Sequence, residues 1–223
     1  MNASSLVKTY PISTFYLVAF GISWLGWVPS LATAWGLADF TNPLWQSTLL
    51  LAATGPTLAA VLVVRWAALQ QLPLWRRVSV RWYGLALVLP LALVGGAALL
   101  ARWRPSVSGA VPLRGERFEW FLLLSVLANP WEEVGWRSFA LRRLQATQSA
   151  GWAALVVGLL WALWHLPLFL LPTGPLSMAQ KPVLLWGVGT LAQSFILAWL
   201  FNRTRGSLLV VILYHVATNG FDA

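Results

Sequence analysis

The sequence contains no cysteine, and only 9% of its 223 residues are charged. Without cysteine, the chain cannot be a secreted domain held together by disulfide bonds. The low charge content excludes a soluble enzyme and a disordered chain, because both classes need far more charged residues than this. Acidic residues are the scarcest: Asp and Glu together number six, against 15 Lys and Arg.

Long apolar segments dominate the sequence. Hydrophobic residues make up 59% of it, and the mean hydropathy is +0.71. A helix needs about 20 apolar residues to cross a bilayer, and stretches without a charged residue cover 9–38, 40–64, 82–101, 144–180 and 182–202. The composition therefore predicts an all-α, polytopic integral membrane protein, which we expect in the bacterial inner (plasma) membrane.

Charges, prolines and glycines divide the chain into seven predicted transmembrane helices around an intramembrane polar cavity. They cover about 14–36, 44–68, 82–101, 118–145, 149–171, 182–201 and 206–221. No segment is polar enough for a separate domain, so residues 1–223 are predicted to form one transmembrane domain. The pattern Ala32 to Ala34 after Lys8 resembles a signal-peptide cleavage site. The apolar stretch exceeds a signal core of about 7 to 15 residues, however, and favours an uncleaved helix.

The net charge of +9 does not indicate nucleic-acid binding, because the basic residues lie between the apolar segments. Such residues set membrane topology, and the lipid bilayer is the expected partner. With seven spans, the loops on the side of the N-terminus carry ten Lys and Arg, and the opposite loops carry five. The positive-inside rule then predicts a cytoplasmic N-terminus.

Two of the six acids, Glu132 and Glu133, are neighbours inside the fourth predicted helix. A charge at a membrane centre costs at least about 2.5 to 3.5 kcal/mol, so such groups are functional candidates unless they reach the interface from a helix end. At about 100° per residue, Glu133 and Arg137 share a helix face, whereas Glu132 points elsewhere. The spacing predicts a Glu133–Arg137 ion pair and leaves Glu132 as a candidate general base. Pro130 is expected to kink the helix.

Both histidines of the chain, His165 and His215, also lie in apolar segments. Membrane histidines are often hydrogen-bonded packing residues, but each of these has a polar or aromatic partner on its own helix face. Trp161 precedes His165 by four residues, and Asn219 follows His215 by four. These pairs predict oriented imidazoles in a polar pocket.

The turn near residues 147–150 relates Glu132 to His165 in depth. If the fourth helix continues to Leu144, both residues lie roughly 25 Å from that turn and meet in an antiparallel helix pair. A facing carboxylate and imidazole would activate water. The same estimate predicts that the cavity opens towards the loops at 102–117 and 172–181, on the non-cytoplasmic side.

The segment Glu132-Glu133-Val134-Gly135-Trp136-Arg137 resembles the EExxxR motif of the CAAX protease and bacteriocin-processing (CPBP, or Abi) family of intramembrane endopeptidases. Trp161 to His165 and His215 to Asn219 resemble its FxxxH and HxxxN motifs, in the same order. The resemblance covers about 118–221, the expected catalytic core. Two features depart from the family: Trp161 replaces the usual Phe, which we expect to be harmless, and the chain ends four residues after Asn219, as in a compact or truncated member.

The resemblance implies a peptidase without a cofactor, acting on a peptide or protein in or at the membrane. It implies that Glu132 and His165 activate the hydrolytic water. His215 and Asn219 would hold the oxyanion. The remaining motif residues would be structural, namely Glu133, Arg137 and Trp161. Whether the substrate is prenylated does not follow from the sequence.

Three alternatives stay open at this point. A zinc-dependent version of the same protease would use Glu132, His165 and His215 as metal ligands, since two histidines and a glutamate form a plausible catalytic zinc set. A proton-coupled transporter would use membrane Glu and His as a relay, although the inverted repeats typical of transporters are not visible. A non-catalytic immunity or binding protein would keep only the fold. We favour the metal-free peptidase.

Overall fold

The structure is a computed structural model that describes residues 3–39, 42, 47–67, 76–103, 125–172 and 176–221. Within these ranges every regular element is helical, which confirms the all-α class. The helices are α1 (Ala3–Thr9), α2 (Pro11–Ala34), α3 (Thr48–Trp66), α4 (Val80–Trp103), α5 (125–144), α6 (Ala150–Trp164), α7 (Val183–Arg203) and α8 (Leu208–Phe221). A short 3-10 helix, Leu166–Leu170, follows α6.

Four described helical segments are long and apolar enough to cross a membrane. They are Pro11–Ala34, Val80–Ala97, Ala150–Leu170 and Val183–Arg203. Two shorter apolar helices, Leu51–Trp66 and Leu208–Asn219, fall below that length. The polytopic membrane class is therefore right, but the predicted count of seven spans is not confirmed. Residues 118–124, the predicted start of the fourth span, lie outside the described residues.

Helix α5 changes its winding in the middle. Residues 125–133 are α-helical, Val134–Leu141 form a π-helix and Arg142–Leu144 return to α-helix. A π-helix closes its hydrogen bonds from i to i+5 and is frequent at functional sites. The widened segment begins directly after the two acids, and the kink at Pro130 stays a prediction.

Helix α3 packs closely against this widened segment. A Cβ added to Gly135 would lie 2.6 Å from the carbonyl oxygen of Pro56, so only glycine allows the two backbones to approach this far. The neighbouring Thr57 hydroxyl donates a hydrogen bond to the carbonyl of Trp131. This contact provides a partner for a backbone carbonyl directly before the acids and fixes α5 at the level of the polar residues.

Aromatic side chains of α2 hold the other side of the π-helix. Phe15 stacks on Phe139 with ring centroids 4.7 Å apart, and Tyr16 stacks on Trp136 at 5.8 Å. Phe15, Trp136 and Phe139 are fully buried. Such packing between large apolar rings stabilises the bundle and restricts rotation of α5 about its axis. The two glutamates therefore have fixed directions.

Candidate active site

The polar residues singled out in the sequence converge on one cavity of about 290 Å³. Helix α5 contributes Glu132, the end of α6 contributes His165, and α8 contributes His215 and Asn219. Helix α7 forms the facing wall with Trp186, Thr190 and Gln193 among its lining residues. Glu132 and His165, predicted to meet in an antiparallel helix pair, thus line the same cavity, and their joint activation of water stays a prediction.

The Glu132 carboxylate accepts a hydrogen bond from a neighbouring helix. The indole Nε1–H of Trp161 donates to Oε2 at 3.0 Å, and both side chains are buried. Since Trp161 lies on α6, this bond ties α5 to α6 at the level of the cavity. One carboxylate oxygen is thereby held in place by the protein, and Oε1 has no such fixed donor among the described contacts.

Glu133 has two partners rather than the one that the spacing predicts. Its Oε1 lies 3.0 Å from Nη1 of Arg137, so the predicted ion pair is present, with both side chains almost completely buried. The same oxygen lies 2.7 Å from Nδ1 of His215 on α8. The sequence gives no local signal for this second contact, because the two residues are 82 positions apart.

The α-helical geometry used to predict the Glu133–Arg137 pair is only partly right. The backbone becomes π-helical at Val134, so side chains after that point do not advance by the α-helical angle. The pair still forms because Arg137 follows Glu133 by about one turn in either geometry. For the residues after Val134, the α-helical period of 3.6 residues per turn therefore does not predict which side of α5 a side chain lies on.

His165 lies at the end of α6, not in the middle of the predicted helix 149–171. The α-helix stops at Trp164 and continues as the 3-10 turn that contains Pro167, a residue without a backbone N–H. Nδ1 of His165 lies 2.9 Å from the backbone carbonyl of Trp161. A carbonyl accepts, so Nδ1 carries the proton and Nε2 is the nitrogen with a free lone pair.

Asn219 is held by a residue to which the sequence analysis gave no role. Its Nδ2 donates to Oδ1 of Asn129 at 3.3 Å, and Asn129 is almost completely buried. The available signal was the cost of placing an amide in the same apolar segment as the two acids. We therefore add Asn129 to the site as the partner of Asn219.

The residues proposed as zinc ligands do not assemble into a metal site. Among the described residues, no group of three His, Cys, Asp or Glu side chains has the arrangement needed to hold a metal ion. Nδ1 of His215 is engaged by Glu133, and Nδ1 of His165 is engaged by a carbonyl. Each ring then keeps Nε2 free, as metal-binding histidines do, but with no three-residue ligand group among the described residues we derive no reaction step through a metal.

The cavity reaches the loop between α6 and α7. Met178 and Lys181 of this loop line it, and the opening of the cavity towards residues 172–181 stays a prediction. The second predicted rim, at 102–117, lies outside the described residues beyond Trp103. The side of the membrane that this rim faces stays a prediction.

Two comparisons with known proteins bear on the same part of the chain. The profile of the family described as "Type II CAAX prenyl endopeptidase Rce1-like" matches residues 115–221. The protein named "CAAX prenyl protease 2" of Methanococcus maripaludis is 29% identical over 102 residues, which are 44% of this chain and 38% of that protein. The match thus spans well under half of that relative. The matched residues 115–221 hold all three motifs, and their similarity to the Rce1-like CAAX protease family supports the resemblance that the motifs indicate.

Proposed function

We propose that the protein is an intramembrane endopeptidase that hydrolyses a peptide bond with a water molecule activated by Glu132 and His165. The observation that carries the proposal is the convergence of four polar side chains on one cavity in an apolar bundle, namely Glu132, His165, His215 and Asn219. Peptide hydrolysis needs a base for the water, donors for the oxyanion and a site that admits water. The cavity offers groups suited to each need.

Glu132 on α5 and His165 at the end of α6 activate the water in this scheme. With Oε2 of Glu132 held by an N–H donor, Oε1 is the oxygen free to accept a proton from water. Nε2 of His165, which has its lone pair, accepts a hydrogen bond from the second water proton. The water oxygen then attacks the carbonyl carbon of the substrate while its proton passes to Glu132.

Two residues of α8, His215 and Asn219, stabilise the oxyanion in this scheme. The Nδ1–H of His215 donates to the Glu133 carboxylate at 2.7 Å, a contact that fixes the ring, as in other carboxylate–histidine pairs. The proposed scheme uses the doubly protonated ring, whose Nε2–H donates together with the amide of Asn219 to the oxygen on which negative charge develops. Asn129 orients the Asn219 amide.

In the last step, the proton held by Glu132 moves to the leaving nitrogen. The C–N bond breaks, the amine leaves with the proton from Glu132, and the new C–O bond remains in the carboxylic acid product, which keeps the second water proton. One water is consumed, and no cofactor is used in this scheme. The substrate is a peptide or protein in or at the membrane, and a prenylated C-terminal peptide is the first candidate, because the relative from Methanococcus maripaludis is named for prenyl protease activity.

A comparison of peptides in cells tests the activity even while the substrate is unidentified. Cells producing the wild-type chain and cells producing Glu132→Gln are compared for new peptide termini in the membrane fraction. Ser23→Ala, which removes a buried hydrogen bond to Ala52 in the α2–α3 contact, is the control for a general loss of packing. We expect termini that depend on Glu132 and persist in Ser23→Ala. Identical termini from wild type and Glu132→Gln would overturn the proposal.

A further inference from the structure

Trp161 makes more contacts to the proposed active-site groups than its assignment as an aromatic support requires. Its ring is almost completely buried on α6 and lines the cavity. Its indole N–H reaches one acid, its ring lies beside a guanidinium and two imidazoles, and its backbone carbonyl accepts from His165. A phenylalanine at this position could replace only some of these contacts.

The hydrogen bond to Glu132 is the contact that phenylalanine cannot make. Indole has a single N–H and donates only, and here it donates to Oε2 at 3.0 Å. This use of the N–H is selective: three other buried tryptophans have no hydrogen-bond partner for Nε1 among the described residues, namely Trp27, Trp136 and Trp164. A donor to a carboxylate fixes its direction and favours its ionised form, which is the form a base needs.

Two further contacts fix the plane of the indole. The Arg137 guanidinium carbon lies 4.6 Å from the ring centroid, a distance at which a cation is attracted to the ring face. The imidazole of His215 meets the ring edge-on with centroids 5.1 Å apart. Since Arg137 is held by Glu133, the N–H of Trp161 has one direction, and that direction leads to Glu132.

The backbone of the same residue orients the second member of the water-activating pair. The carbonyl of Trp161 receives Nδ1–H of His165 at 2.9 Å, which leaves Nε2 unprotonated. A single residue thus sets the rotamer of the carboxylate and the tautomer of the imidazole. Replacement of Trp161 by Phe removes only the first of these effects, because the carbonyl and an aromatic ring are retained.

We propose that Trp161 is a positioning residue of this enzyme, whose indole N–H holds Glu132 in the orientation that activates water. On this proposal Trp161 supplies a contact beyond the aromatic ring that Phe shares with it, since Phe has no donor for the carboxylate. The inference rests on the proposed function, and the two fail separately. Activity that persists in Glu132→Gln overturns the function, whereas an inactive Glu132→Gln beside an unaltered Trp161→Phe overturns only the role of Trp161.

The kinetic test compares Trp161→Phe with Trp136→Phe, using the peptide that the cell comparison identifies. Trp136 is fully buried and its Nε1 has no partner among the described residues, so this variant reports the cost of shrinking a buried ring. For Trp161→Phe we expect kcat to fall about 10- to 100-fold, as for the loss of one hydrogen bond to a charged group, with KM nearly unchanged. The acid limb of the pH–rate profile should move to higher pH, because the carboxylate loses its donor.

Trp136→Phe should lower thermal stability without moving the pH profile. A fall in kcat for Trp161→Phe with an unmoved acid limb, or no fall at all, would overturn the proposal. If Trp161→Phe does not fold, the indole ¹⁵N–¹H signals of the wild-type chain and Glu132→Gln decide instead. The Trp161 signal should shift when the carboxylate becomes an amide and that of Trp136 should not, and an unshifted Trp161 signal would contradict the proposal.

Discussion

Oε1 of Glu133 lies 2.7 Å from Nδ1 of His215, in a contact that joins α5 to α8. The same oxygen also pairs with Arg137 at 3.0 Å. The second acid of the motif therefore does not serve a structural ion pair alone, because it also orients the imidazole that faces the cavity. The Glu133 carboxylate therefore both stabilises the helix bundle and orients the proposed oxyanion donor.

Glu133→Gln should accordingly reduce both stability and activity. Removal of one member of a buried ion pair leaves the other charge uncompensated and costs about 3 to 5 kcal/mol, here at Arg137. Thermal unfolding in detergent, followed by circular dichroism, should show a lower midpoint, and peptide cleavage should fall at a temperature where the variant is still folded. Glu132→Gln is the matched control, since Glu132 has no ion pair among the described contacts and its variant should keep the wild-type midpoint.

A second prediction concerns the close contact between α3 and α5. Gly135→Ala places a Cβ against the backbone of Pro56, so the helices must separate and the two glutamates must move. We expect a lower unfolding midpoint and weaker cleavage. Gly84→Ala on α4 has no atom within 4 Å of the added Cβ and should be neutral or slightly stabilising. Equal midpoints for the two variants would argue against the packing described here.

Removal of metal ions tests the choice between the two peptidase mechanisms. Because the described residues offer no three-ligand metal group, we predict that the wild-type chain keeps its full cleavage rate after exhaustive treatment with a zinc chelator and dialysis. A known zinc peptidase treated in parallel shows that the chelation is complete. Loss of activity that returns on addition of zinc alone would support the zinc-dependent alternative.

The absence of cysteine allows a direct test of the predicted orientation. Gln180 lies in the exposed loop beside the cavity, and Ser79 is exposed before α4. An impermeant thiol reagent on intact cells should label Gln180→Cys and leave Ser79→Cys unlabelled until the cells are opened. The opposite pattern would place the cavity rim in the cytoplasm. Our predicted topology places the cavity rim on the non-cytoplasmic side, whereas processing of a prenylated substrate requires the cytoplasmic side. The opposite labelling pattern would therefore make the orientation compatible with a prenylated substrate.

The sequence predicts what depends on local spacing and misses what depends on contacts between distant segments. Apolar length predicts the membrane class, and the four-residue spacing predicts the pair of Glu133 and Arg137. The winding of α5 is not predicted, because the π-helix depends on packing against α3 and α2 rather than on a periodic pattern. Likewise, nothing in the local sequence links Asn219 to Asn129, which are 90 residues apart.

The tryptophan of the second motif illustrates the same limit. Sequence comparison identifies an aromatic side chain four residues before His165, and at that level Trp and Phe are equivalent. Their difference is a single N–H, and its importance is visible only when the position of Glu132 on another helix is known. The predicted number of spans is a different case, since Leu51–Trp66 and Leu208–Asn219 are apolar but shorter than the length that identifies a membrane span.

The central claim is that the carboxylate of Glu132 activates the water that cleaves the substrate. Its most direct test is the cleavage rate of purified wild type and Glu132→Gln in lipid nanodiscs, with the same peptide and with equal unfolding midpoints established beforehand. We predict that the Glu132→Gln rate falls by at least about 100-fold, as expected for loss of a general base. A folded Glu132→Gln variant that cleaves at the wild-type rate would contradict the account.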